Sequence, residues 1–189
     1  VTVSDNAGGS DTTSVTVQFT GTNDVPVIEA TDQDVVMAFV EATDPDNLEG
    51  APESPTNTLV PQVLMATGHI DVVDVDVGDL LTGSTTGNAT AKWTPFEGAE
   101  ATVVTTGEGA DPRFNNLIDA ARLTFTDAGT EILNANSDSS GAITEIGYKY
   151  SVSDADIDFL GAGDVVVLTF PVTVSDNAGG SDTTSVTVQ

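Results

Sequence analysis

The residues best able to do chemistry in this chain are carboxylates set two apart. Asp74 and Asp76 stand in the run IDVVDVDVGDLL, together with Asp71 and Asp79. Side chains two apart in an extended chain share a face, so this pair repels unless a cation sits between. Gly78 allows a turn that brings Asp79 or a backbone carbonyl into the same shell, the oxygen-rich and adaptable coordination that calcium takes. Alternating Asp is poor strand composition and poor turn chemistry, which favours metal at Asp74 and Asp76. A second group, Asp154, Asp156 and Asp158 in SVSDADIDFLGAGD, repeats the spacing and ends at Asp164. A third lies at Thr22-Asn23-Asp24 before Pro26, with Glu41 at the end of the strand that follows. The fourth is Asp5, Asn6 and Asp11, repeated as Asp176, Asn177 and Asp182. In this DNAGGSD stretch, turn filling is the simpler reading, because Asp and Asn side chains bond nearby backbone N–H groups. None of the runs has the twelve-residue loop with a closing Glu of an EF-hand.

Other chemistry has little material. There is no cysteine, which removes disulfides, zinc thiolates and a thiol nucleophile. His69 is the single histidine, and its place between Gly68 and Ile70 reads as an ordinary edge or surface residue rather than a triad base. With 30 acidic residues, any one pair proposed for glycoside hydrolysis carries no weight. No enzyme is expected. Four basic residues leave a formal charge of −26, which repels nucleic acid and anionic membrane surfaces and attracts divalent cations. Adaptation to high salt would yield the same balance. Disorder is disfavoured by 39% hydrophobic content arranged in Val/Thr alternation.

The elements that must position these groups are strands. Val1–Val3, Ser14–Val17, Ile70–Val77, Ala101–Val104, Leu123–Phe125, Tyr148–Ser153, Val165–Val174 and Thr184–Val188 alternate with period two. Gly, Asp and Asn clusters punctuate them, and only Pro112–Arg122 has helical spacing, through Phe114, Leu117, Ile118 and Ala121. The expected fold is all-β, an antiparallel β-sandwich. Trp93, Phe96 and Phe114 read as core or core-edge residues, and residues 42–61 as a surface excursion.

Residues 1–18, VTVSDNAGGSDTTSVTVQ, recur without change as residues 172–189, a period of 171 residues. The expected organisation is a tandem array: residues 1–18 form the terminal hairpin of a preceding repeat, 19–25 a linker, and 26–189 one sandwich. Residues 1–18 then lack their own sheet, and they are expected to be mobile or to exchange as a borrowed strand with a neighbouring molecule.

GTNDVPVI at 21–28, GHIDVVDVDVGDLLTGS at 68–84 and YSVSDADIDFLGAGDVVVLTFPVTVSDNAGGSDTTSVTVQ at 150–189 resemble the VCBS repeat of very large bacterial surface adhesins, including those exported with RTX-type signals. The resemblance implies a cadherin-like or immunoglobulin-like sandwich, an extracellular place on the bacterial cell surface, and calcium near domain junctions. Cadherin junctions are a more distant likeness, matched by Asn23-Asp24 in the linker, Glu41 at a strand end and the Asp74/Asp76 pair.

These readings predict a calcium-stiffened extender whose partners are adjacent identical repeats and which carries a distal binding domain for attachment or biofilm formation. The metal ligands expected are Asn23, Asp24, Glu41, Asp74, Asp76, Asp79, Asp154 and Asp156. Neither nucleic acid nor membrane insertion is expected. The alternative is a repeat that itself binds a sugar or protein weakly and gains by multivalency.

Overall fold

The computed structural model describes residues 1–29, 63–76, 78–96, 102–105, 111–125, 132–133 and 143–189. In chain order the strands are β1 (Thr2–Ser4), β2 (Ser10–Thr12), β3 (Val27–Ile28), β4 (Val63–Val73), β5 (Leu80–Thr85), β6 (Thr90–Thr94), β7 (Thr102–Thr105), β8 (Leu123–Phe125), β9 (Ile132–Leu133), β10 (Ile143–Ser153), β11 (Val165–Ser175) and β12 (Ser181–Val188). All the pairings are antiparallel. β1 and β2 form a separate two-stranded sheet; of the two sheets of the sandwich, one has the order β3-β4-β10-β8, and the other runs β7-β6-β11-β5-β9 with β12 also on β11. Because β12 pairs along Leu168–Ser175, β6 at Val165–Thr169 and β5 at Val172–Ser175 must share the other edge of β11.

Alternation decides what lies between the sheets. On β10, Thr144, Ile146, Tyr148, Tyr150 and Val152 point inward, and on β11 Leu168, Phe170, Val172 and Val174 do so. Tyr150 and Phe170 meet across the gap with ring centroids 5.5 Å apart. The Tyr150 hydroxyl donates to the Leu117 carbonyl at 3.1 Å, and its burial raises its pKa far above the ordinary phenol value. Tyr150→Phe removes that donor from a buried carbonyl and is expected to cost about 1–3 kcal/mol in chemical denaturation. A close approach fixes Gly83 as well, since an added Cβ would stand 2.5 Å from the Phe125 ring. Gly83→Ala is expected to destabilise by about 1–3 kcal/mol, read by the same measurement.

Several expectations change on contact with the fold. The helical spacing of Pro112–Arg122 resolves into two 3₁₀ turns, Pro112–Phe114 and Ala120–Arg122. Asp111 and Asp119 cap them by accepting the N–H groups of Arg113 and Ala121, while Phe114, Leu117 and Ile118 seal the core. Trp93 is half-buried against Phe114, with centroids 6.0 Å apart, whereas Phe96 is 74% exposed. Ser14–Val17 is not in a strand: the same residues in the second copy, Ser185–Val188, pair with Leu168–Pro171 of β11, and among the described residues nothing takes that place beside the first copy.

The two identical segments differ completely in surroundings. Val172, Val174, Val186 and Val188 are 0%, 0%, 1% and 2% exposed, and the same residues in the first copy, Val1, Val3, Val15 and Val17, are 72%, 69%, 69% and 66% exposed. Only the turn survives alone: β1 and β2 pair through three residues each, and Asp5 accepts from Ala7 and Gly9 as Asp176 accepts from Ala178 and Gly180.

Candidate metal centre

β4 ends at Val73 and delivers Asp74, Asp76 and Asp79 to one pole of the sandwich. The expected strand to Val77 therefore stops early, and the pair does not share a strand face. Instead the Asp76 N–H folds back on Asp74 Oδ1 at 3.0 Å, and the Asp79 N–H bonds the Asp76 carbonyl at 3.4 Å, a turn assisted by Gly78 at φ +95°. The turn gathers what the strand would have spread. Asp74, Asp76 and Asp79 each present an oxygen within 4.8 Å of the others.

Two further elements close on this turn. β11 brings in the DNAGGSD hairpin at its end, and β3 fixes the incoming segment by pairing Val27 and Ile28 with Val73 and Val72. Asp24 donates its backbone N–H to Asp76 Oδ2 at 2.6 Å, and Asn23 Nδ2 donates to Asp176 Oδ2 at 3.1 Å. Asp182 accepts the Ile28 N–H at 2.9 Å, and Asn177 accepts the Leu80 N–H at 3.3 Å. Asp176 also takes three backbone N–H groups, from Ala178, Gly179 and Gly180. The Asn23 amide and these N–H groups hold its pKa below the ordinary carboxylate value. The hairpin, read from sequence as turn chemistry, is a turn and also the clamp that seats residues 23–28. Its signal was the second Asp and the Asn, which a turn alone leaves unused.

The electrostatics of this pole run one way. Desolvation raises the Asp74 pKa first, and Asp76, Asp176 and Asp24 raise it further, against a backbone N–H from Asp76 that lowers it. Desolvation likewise raises Asp79, followed by Asp74, Asp76 and Asp176. Among the described residues, the charges acting on these two groups are all carboxylates. Asp79 Oδ2 is shut away from solvent with no donor against it. An all-oxygen, anionic, turn-built donor set of this kind fits a hard divalent cation, and calcium best, because its coordination number and angles are the most tolerant.

The remaining expected ligands sort differently. Asn23 and Asp24 stand at the pole, while Glu41 lies outside the described residues, as do 42–61. Asp154 and Asp156 are at the opposite pole, on a 3₁₀ turn (Asp154–Asp156) after β10 rather than on a strand, so the shared-face argument fails for them. Asp156 is matched by Arg122 Nη2 at 2.9 Å and by Asn116 Nδ2 at 2.8 Å, which fastens the 112–122 segment to that turn. Asp164 accepts from Phe96 N–H, Gly161 N–H and Trp93 Nε1, which together lower its pKa. It is a loop cap with its bonds filled by protein.

His69, read as an edge residue, is half-exposed on β4, with Nε2 3.5 Å from Asp71 Oδ1. The β4·β10 register sets Glu145 directly opposite Asp71, so a second trio, His69, Asp71 and Glu145, meets on the outer face. Only cross-strand register reveals it. No family model, curated protein or solved structure matches this chain.

Proposed function

We propose that this chain carries one repeat of a calcium-stiffened extender of the VCBS type, serving a large bacterial surface adhesin that holds a binding domain away from the cell. One observation carries the reading: the segment that enters the sandwich, Asn23-Asp24, is bonded directly to the carboxylate cluster of Asp76 and Asp176. A cation held by Asp74, Asp76 and Asp79 therefore acts on the joint and not merely on a loop. Without it, like charges crowd where the linker docks. With it, their repulsion becomes shared attraction, and the Asp24 N–H bond to Asp76 is held in place. The internal copy with its 171-residue period supports repetition, and arrays multiply reach and avidity. Extracellular-type affinities of about 10⁻⁴–10⁻³ M would load such sites only outside a cell.

The test is the shape of a two-repeat chain by small-angle scattering. A linker of Phe19–Val25 spans about 23 Å at roughly 3.3 Å per residue, so neighbouring sandwiches lie nearly end to end. The two-repeat chain is expected to be extended and stiff in millimolar calcium and heterogeneous in chelator. Equal flexibility in both would defeat the extender mechanism and favour independent binding modules.

A further inference from the structure

We infer that Phe19 is not linker but the end of the preceding repeat's last strand, seated on that repeat's open core, and that the hinge between repeats shrinks to Gly21-Thr22. The inference rests on the tandem reading and not on calcium. The first copy, residues 1–18, is followed by Phe19-Thr20-Gly21, so the continuation of a β12-like strand is known. In the second copy β12 pairs Phe170 with Val186 and Leu168 with Val188. Carrying that register two residues further sets the position of Phe19 opposite Val166 and that of Thr20 opposite Val165. Among the described residues, no strand pairs with Val165–Val167 on the β12 edge of β11. As far as the described strands go, that edge is open to the added residues.

The face is right too. Val186 and Val188 point into the core, as do Leu168 and Phe170, so Phe19 and Val166 in the same alternation point there as well. At this pole the core is incompletely covered: Leu64, Trp93, Phe159, Leu160 and Val166 are only partly buried. Val166 stands opposite Trp93 on β6, and Phe159 meets Phe114 edge-on at 5.1 Å. Phe19 is 91% exposed, and among the described residues no strand pairs with it. An aromatic side chain placed beside Val166 would complete an apolar cluster that already exists.

On the other side of the joint, Asn23 and Asp24 are bonded into the following repeat and Pro26 is buried there. With Thr20 in the strand and Asn23 in the clamp, two residues remain. Gly21 has nothing within 4 Å of an added Cβ, as a swivel requires.

The test compares the two occurrences of the phenylalanine in one two-repeat chain: Phe19 itself, and its equivalent at the internal junction. Hydrogen exchange is expected to show at least ~100-fold protection of backbone N–H groups over the Gln-Phe-Thr triplet at the internal junction, and none at Gln18–Thr20, in calcium and in chelator alike. Phe→Ala at the internal junction is expected to lower the melting temperature of the upstream repeat by about 4–8 °C, while Phe19→Ala leaves it unchanged. Free exchange at both sites, or equal melting of the two variants, would overturn the inference, even where scattering shows calcium stiffening. Protection that persists in chelator while scattering shows no stiffening would leave this seat standing and the calcium reading fallen.

Discussion

Chelation of calcium is expected to lower the melting temperature of this chain by about 5–10 °C. That holds at 100 times Kd, about 10–100 mM free calcium for affinities of about 10⁻⁴–10⁻³ M, where the filled site adds roughly 2.7 kcal/mol and a domain of this size shifts by about 2–4 °C per kcal/mol. Two controls tie the effect to the pole where Asn23 docks. Asp74→Asn and Asp79→Asn should each abolish most of the calcium increment, and each should slightly stabilise the calcium-free chain, because a buried repulsion is removed. A chelator-independent melting curve would take calcium out of the account.

The pH dependence of the calcium-free chain carries the same signature. Asp74 and Asp79 have raised pKa values, so between the ordinary 3.8 and those values the folded chain binds more protons than the unfolded one. Stability therefore falls as pH rises through that window and is regained on mild acidification. Asp164 and Asp176, with lowered pKa values, act in the opposite sense, and their contribution is lost as pH falls below 3.8. A calcium-loaded chain should show no gain on mild acidification, since the cation needs the ionised carboxylates. Thermal melts at a series of pH values, with and without calcium, read all three signs.

The second large effect sets two occurrences of one sequence against each other. Val174→Ala is expected to destabilise by about 2–3 kcal/mol, through lost burial and the cavity left between the sheets. The equivalent change in the first copy, Val3→Ala, should stay within about 0.5 kcal/mol. Their side chains are 0% and 69% exposed. Denaturant titration of the two single variants decides it, and equal losses would mean that residues 1–18 are packed as 172–189 are.

Period-two alternation in Tyr148–Ser153 and Val165–Val174 predicts strands with one buried face, and the buried set falls on that alternation, although β10 begins five residues earlier, at Ile143. The two-residue spacing of Asp74 and Asp76 marks them as neighbours, but a turn, and not the strand face that the spacing implies, brings them together. Asp154 and Asp156 had the same spacing and a different outcome, because Arg122 arrives from 34 residues away to match Asp156. Local spacing measures which side chains are neighbours along the chain, and it is blind to what another strand delivers.

The sequence by itself determined the strand composition, the all-β class, the surplus of negative charge and the repetition, since each is a property of residue types in order. Tertiary structure alone decided that Asn23 reaches Asp176 across 153 positions, that Glu145 faces Asp71, and that Val174 is core while Val3 is surface. The physical reason is that strands are stabilised by partners remote in the chain: period two fixes which side chains share a face, and only the register and the neighbouring sheet fix what that face meets.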